Sequence, residues 1–344
     1  MSDQIQFRRD TAANWTSNNP VLALGEVGLE TDTNAYKIGD GATAWTSLNY
    51  NQLAPEITTL LLDGQSSDPS APASGNLTIY SKAIAGRMML KQIGPSGLNT
   101  AFQPLLARNK IGYWCPPGNA TTVPGVLGFT AYTVVTTAVL RTIATSNLFA
   151  RMRRLGFPST TSAGAAAGAR VAVAQVTVGD GAGNGGFFKV IRWGISDAVF
   201  KSACRTFIGV SSSTGAPSNG EPSALTNSIG MGHGAADTTM HIYYGGSAAQ
   251  TPIDLGASFP ANTTNIDVYE LALFAPSSSN NTVYYEVTRI NTGDRATGTL
   301  TGTAGTVLPS SSTLLTYSQN WRNNNANAAA VGFDIMSDYI ETDN

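Results

Sequence analysis

The stretch Val283-Tyr284-Tyr285-Glu286-Val287-Thr288-Arg289-Ile290 decides the fold class. Alternate side chains of an extended chain point to opposite faces, so Val283, Tyr285, Val287 and Arg289 share one face and Tyr284, Glu286, Thr288 and Ile290 the other. β-Branched and aromatic residues at this density suit a pleated strand, and aromatics on both faces imply that both are covered. Working outward, similar runs occur at residues 187–195, 206–210, 240–244, 266–274 and 331–335, separated by turns rich in Gly, Ser, Asn and Pro. No amphipathic helical pattern longer than two turns interrupts them. Short strands at this spacing predict an all-β, two-sheet sandwich over 118–344, for which the jelly roll, common among capsid and lectin domains, is expected.

Charge is sparse. Asp, Glu, Lys and Arg make up 12% of the 344 residues, with a net charge of -2, about half the usual share. Without a basic field there is nothing to hold a phosphate backbone, so nucleic acid is excluded as a partner. Hydrophobic residues at 42% and 36 glycines spread along the chain fit neither disorder nor a membrane span. The polar surface must come from Ser, Thr, Asn and Gly, a composition suited to strands and their turns. The start lacks an apolar signal core and no run of about 18 apolar residues occurs, so neither export nor membrane insertion is expected. Cys115 and Cys204 are too far apart in sequence for a metal knuckle and read as free buried thiols.

Upstream of the sandwich, residues 1–52 form a small unit with Phe7, Trp15, Tyr36 and Trp45 as aromatic anchors, and residues 27–31 and 35–38 form a hairpin around Asp32-Thr33-Asn34. Residues 53–117 hold a leucine cluster, Leu53, Ile57, Leu60, Leu61 and Leu62, then a Ser/Pro/Gly/Ala linker over 63–76. A short β module follows, in which 77–80 and 87–91 pair.

The residues Ile5-Gln6-Phe7-Arg8-Arg9-Asp10-Thr11-Ala12-Ala13-Asn14-Trp15, Gly25-Glu26-Val27-Gly28-Leu29-Glu30-Thr31-Asp32 and Lys37-Ile38-Gly39-Asp40-Gly41, with Trp45, resemble the N-terminal domain of phage major tropism determinants. The run from Met88 to Gly97, with Gln103-Pro104, resembles a shoulder segment of tailed-phage fibres. The far region is similar to fibre C-terminal domains around Ile208-Gly209-Val210, Ile229-Gly230-Met231-Gly232-His233, Ile253-Asp254-Leu255-Gly256 and Val268-Tyr269-Glu270-Leu271. It does not look like the C-type lectin domain of the tropism determinant, so no receptor-binding residues carry over from that protein. The resemblance implies a tail fibre protein of the virion, assembled in the host cytoplasm. Its N-terminal unit would attach to a tail or baseplate protein and its C-terminal domain would bind a bacterial surface receptor, lipopolysaccharide or another glycan. It also implies a homotrimer. Burial against two copies would stabilise a 50-residue unit whose own core is marginal, with Leu60, Leu61 and Leu62 near the three-fold axis.

No cofactor or metal site and no catalytic set is expected, so the chain reads as a non-enzymatic adhesin. A depolymerase and a purely structural fibre or collar component are the alternatives. His233, Asp237 and His241 form a tempting array, but Gly232, Gly234 and Thr238-Thr239 argue for a hairpin, and zinc wants further ligands. Glycan cleavage needs two carboxylates about 5 to 10 Å apart. Asp267 and Glu270, three apart on a strand, fall on opposite faces, and Asp180, Asp197 and Asp294 sit singly in turns. The loop from Gly179 to Gly186 lacks the ending of a phosphate cradle, and Arg151, Arg153 and Arg154 form a basic cluster on an expected strand edge. Sugar binding needs an aromatic face with fixed polar groups beside it. Tyr243 and Tyr244 by the Gly245-Gly246 turn, and Trp321 with Asn323, Asn324 and Asn325, meet that description. The loop after Trp321 is preferred, since consecutive asparagines have no evident structural use beyond a turn.

Overall fold

The computed structural model describes residues 7–50, 59–97, 99–101, 110–116, 132–199, 201–261 and 263–342. The expected boundaries at 52/53 and 117/118, together with Ile5, Gln6, Leu53, Ile57, Gln103 and Pro104, lie outside these residues. Chain contacts separate two units, Met1–Leu62 and Asp63–Asn344.

In the first unit, β1 (Arg8–Asp10) runs parallel to β2 (Val27–Glu30), which pairs antiparallel with β3 (Tyr36–Ile38). The hairpin is the expected one, and Asn34 takes the left-handed conformation (φ 59°) in its turn, a position that asparagine tolerates. A helix, α1 (Ala12–Asn18), was not anticipated; the Thr11 hydroxyl caps it by accepting from the Asn14 N–H. The helix puts Trp15 against Trp45, with ring centroids 4.2 Å apart, and the Trp15 indole N–H donates to the Leu29 carbonyl. Gly28 makes this stack possible, because a Cβ there would lie 2.5 Å from the Trp45 ring.

The second unit begins with a four-stranded sheet of β4 (Gly64–Gln65), β5 (Thr78–Ile84), β6 (Arg87–Ile93) and β7 (Asn99–Ala101). The strands carrying 77–80 and 87–91 do pair, but in a longer hairpin than expected: Thr78, Ile79 and Tyr80 face Ile93, Gln92 and Lys91, and residues 87–90 face 81–84. This sheet is not a discrete shoulder. The Ala85 N–H donates to Glu286, Arg87 stacks 4.8 Å from the Phe188 ring centroid and pairs with Glu341, and Gly86 abuts the Tyr284 ring. The outer face of the sandwich is therefore partly covered by the chain's own preceding segment, which accounts for aromatics on both faces of the 283–290 strand.

The sandwich contains β8 (Lys110–Trp114), β9 (Tyr132–Val134), β10 (Val139–Leu140), β11 (Leu155–Pro158), β12 (Ala166–Val171), β13 (Phe187–Ile195), β14 (Arg205–Ser211), β15 (Ser228–His233), β16 (His241–Gly245), β17 (Ile253–Asp254), β18 (Tyr269–Ala275), β19 (Thr282–Arg289), β20 (Asp294–Thr301), β21 (Thr316–Asn323) and β22 (Gly332–Thr342). One sheet has the order β10-β11-β22-β13-β18-β19-β20, with β8 also on β22. The other has the order β17-β16-β15-β14-β21-β12-β9. All these pairings are antiparallel and many neighbours are non-consecutive, the pattern of a jelly-roll-like, lectin-like sandwich. Strand β18 starts at Tyr269 rather than 266, and β22 runs well past the expected 335. Between the sheets lies one core, to which Phe187, Ile191, Trp193, Leu271 and Val287 contribute from the first, and Ile208, Val210, Met231, Ile242 and Tyr317 from the second.

Two features of this interior shape the far face. Lys189 and Asp338 form a fully buried ion pair, and Asp338 also accepts from the hydroxyls of Tyr132 and Ser318. Alongside them, β21 carries a bulge: the register passes from Gly209↔Gln319 to Ser211↔Thr316, leaving one extra residue on β21. Tyr317 and Ser318 both serve the interior, so the residues that follow reverse their facing. Asn320 and Arg322 point in, and Gln319, Trp321 and Asn323 point out.

Among the described residues no helix is long and apolar enough to cross a membrane. Arg151 closes a short helix, Leu148–Arg151, rather than lying on a strand, and Arg154 is buried against Asp334. Cys204 is buried as expected, whereas Cys115 is exposed.

Candidate functional site

The outer face of the seven-stranded sheet gathers Phe207 from β14, Tyr243 from β16 and Trp321 from β21 into a small apolar cluster with Leu225. Phe207 and Trp321 stack at 6.1 Å between centroids, and the Phe207 ring lies over Gly230, where a side chain would leave it no room. Two connections rise over this face. Residues 212–227 join β14 to β15 and carry the 3-10 turn Pro222–Ala224, preceded by Glu221. Residues 234–240 join β15 to β16 and carry Asp237.

These connections bring two carboxylates to one cleft of 440 Å³, whose lining includes Glu221, Gly234, Asp237, His241, Tyr243 and Pro252. Glu221 Oε2 lies 2.9 Å and Asp237 Oδ2 3.0 Å from the point where a Cβ on Gly234 would sit, so the two oxygens are at most about 6 Å apart. Arg205 holds Glu221 Oε1 at 2.6 Å, and the Ala235 N–H donates to Oε2. Asp237 Oδ2 accepts from the Gly234 N–H at 2.7 Å and the Tyr243 hydroxyl at 2.8 Å. Burial, then the bond to Asp237, pushes the Tyr243 phenol well above its ordinary range, so it remains a donor. His241 Nδ1 lies 3.1 Å from the Thr239 carbonyl oxygen and 3.6 Å from Asp237.

The His-Asp-His array does not form. His233 faces inward, where Arg322 Nη1 (2.7 Å) and Thr206 approach its Nε2, while Asp237 and His241 face the cleft. Among the described residues no cluster of three His, Cys, Asp or Glu side chains is placed to hold a metal. Asp267 and Glu270 are separated as expected, the first buried with Arg289 and Asn291 and the second paired with Arg192. Asp197 is not a lone turn acid, since it is buried and pairs with Arg322 at 2.7 Å.

Of the expected receptor-binding residues, Tyr243 and Trp321 meet in the outer cluster. Tyr244 turns inward against the main core, as strand alternation requires. Trp321 is only 3% exposed and Phe207 stacks on it, so it serves as a wall rather than an open platform. The asparagines have structural work after all. Asn323 Nδ2 donates to the carbonyls of Ser218 and Gly220, and Asn324 Nδ2 to those of Ser162 and Ala329. Both are buried, and Asn325 takes the left-handed conformation (φ 52°). Asn323 thus ties down the same loop that presents Glu221. Glu221 itself escaped sequence reasoning: it lies sixteen residues before Asp237 in a different loop, and no motif links the two. Of the expected trimer contacts, Leu60 is 64% and Leu61 88% exposed in the single chain, and Leu62 is intermediate.

Residues 5–43 match the family described as Major tropism determinant N-terminal domain, which bears out the resemblance of this chain to tailed-phage tail fibre proteins. Two curated relatives come from phages of Streptococcus pyogenes and are named hyaluronoglucosaminidase. The one from phage H10403 is 28% identical over 102 residues, 27% of this chain and 30% of the relative. The one from phage H4489A is 40% identical over 47 residues, 14% of this chain and 13% of the relative. The chain thus spans less than a third of the length of these relatives. Their names overturn the expectation that a chain of this kind carries no enzymatic activity. Among solved structures, peanut lectin covers 68% of this chain and 97% of its own at 12% identity (TM-score 0.43). The galactose complex of lectin UEA-II covers 69% and 100% at 10% identity (TM-score 0.44).

Proposed function

We propose that this chain is a tail-spike depolymerase of a tailed bacteriophage, attached to the virion through its N-terminal unit and binding a host-surface polysaccharide in the cleft between Glu221 and Asp237, where it cuts the chain. The carrying observation is the pair of carboxylates from two loops facing one open cleft with oxygens at most about 6 Å apart. Glycoside hydrolysis uses two facing carboxyls: one gives a proton to the leaving oxygen while the other attacks the anomeric carbon or activates water. The donors on Asp237, the Tyr243 hydroxyl among them, and the Arg205 clamp on Glu221 fix both groups. The names of the two phage relatives support an activity on glycans. Self-association through the exposed Leu60 and Leu61 is part of this reading, because weak sugar sites presented in several copies gain by avidity.

The test is incubation of the purified full chain with a panel of bacterial surface polysaccharides, read by reducing-end release and size-exclusion chromatography. The wild type shortens at least one of them. E221Q and D237N each lose at least about a hundredfold in rate, the scale of acid–base catalysis, and still bind the polymer. Polysaccharide bound but left at full length by the wild type overturns the depolymerase reading.

A further inference from the structure

Beside the acid cleft, and sharing Glu221 with it, the outer sheet face holds a second pocket of 210 Å³ lined by Ser213, Pro217, Ser218, Leu225, Gln319 and Trp321, among others. We propose that this pocket is a subsite for the acetamido group of an N-acetylated hexosamine, an inference that rests on reading the adjoining cleft as a polysaccharide site. Its size sets the scale. Pockets for whole drug-sized ligands run from about 300 Å³ upward, so this one takes a single substituent with part of its ring.

Gln319 names the substituent. Its side chain is almost wholly buried, 4% exposed, and its Nε2 donates to the Gly215 carbonyl at 3.3 Å, which fixes the amide orientation. Among the described residues no donor reaches the remaining atom, Oε1. A buried acceptor left unpaired is costly, and buried polar groups in folded proteins are as a rule satisfied. The group that belongs here brings an N–H donor together with an apolar end, because Trp321, Pro217 and Leu225 form the other walls. An acetamido group has that pattern: its N–H for Gln319 Oε1, its methyl for the indole edge, its acyl oxygen for the hydroxyls of Ser213 and Ser218. An O-acetyl ester lacks the N–H, and an unsubstituted sugar hydroxyl lacks the methyl. The β21 bulge is what brings Gln319 and Trp321 to this face together.

The experiment is saturation-transfer and titration NMR on the full-length chain with N-acetylglucosamine and N-acetylgalactosamine, against glucose and galactose as matched 2-hydroxy probes. One N-acetylated sugar binds at least about tenfold more tightly than its 2-hydroxy counterpart, with strongest saturation at the acetyl methyl. Q319M, which keeps the volume and removes the acceptor, abolishes that preference while near-UV circular dichroism stays unchanged. Equal binding of each N-acetylated sugar and its counterpart, or strongest saturation on ring protons in the wild type, overturns the subsite whatever the variant does. In that case polysaccharide shortening still stands or falls independently. Binding of none of the four sugars overturns the subsite as well, and if every polysaccharide is also left unbound the cleft reading falls with it.

Discussion

His233 offers a sharp test of the interior, through replacement by Gln and measurement of stability against pH. Its Nδ1 faces the Gly234 carbonyl oxygen at 3.1 Å, so that nitrogen carries the proton, while Nε2 accepts from Arg322 at 2.7 Å. Burial first, and the Arg322 charge second, lower its pKa from 6.5 to about 3. The native imidazole is therefore neutral at any pH where the protein is handled, whereas the unfolded one takes up a proton below about 6.5. With more protons bound in the unfolded state, stability falls as pH falls. The contribution of His233 is complete above its unfolded pKa and is lost toward pH 3, by about 1.4 kcal/mol at pH 5.5 and about 2.7 kcal/mol at pH 4.5. Asp68, lowered to about 2, adds its own loss only near and below the ordinary carboxylate range. Asp334, raised by burial, works in the opposite sense. The difference between wild type and H233Q therefore isolates the histidine. Urea unfolding of the full chain, followed by near-UV circular dichroism at pH 7.5, 5.5 and 4.5, should show the gap between the two proteins shifting by about 2.7 kcal/mol in favour of H233Q across that range. Stability curves that stay parallel within about 0.5 kcal/mol would refute a neutral, buried His233.

Two further outcomes follow from packing. K189M or D338N alone should destabilise the sandwich by about 3 to 5 kcal/mol, since each strands a buried charge, whereas K189M/D338N, in which the new amide oxygen can still accept from Tyr132 and Ser318, should recover most of the loss in chemical denaturation. G28A should weaken the N-terminal unit by about 1 to 3 kcal/mol through overpacking against Trp45, seen as faster hydrogen exchange in residues 7–50 with the protection of residues 132–342 unchanged.

Local alternation carried far in this chain. Strands β13, β14, β16 and β19 follow from period-two patterns of β-branched and aromatic residues, and the β2–β3 hairpin from Asp32-Thr33-Asn34, because a strand's facing is set by its own backbone. The N-terminal likeness was equally local, a run of residues matched one after another. What alternation cannot register is an inserted residue. Counting by twos from the core residue Tyr317 sends Gln319, Trp321 and Asn323 into the core, and only the β21 bulge, set by pairing with β14, turns them outward. Nor does sequence show where a polar side chain ends up when its partner lies far along the chain. Arg322 meets Asp197, Lys189 meets Asp338, and Asn323 meets the carbonyls of 218 and 220, all of them pairings made by sheet order rather than by neighbours in the chain. Glu221 and Asp237 belong to the same class. Alternation established the β sandwich and composition its neutral surface, but two carboxylates in separate loops become a pair only when β14, β15 and β16 lie side by side and hold those loops over one face.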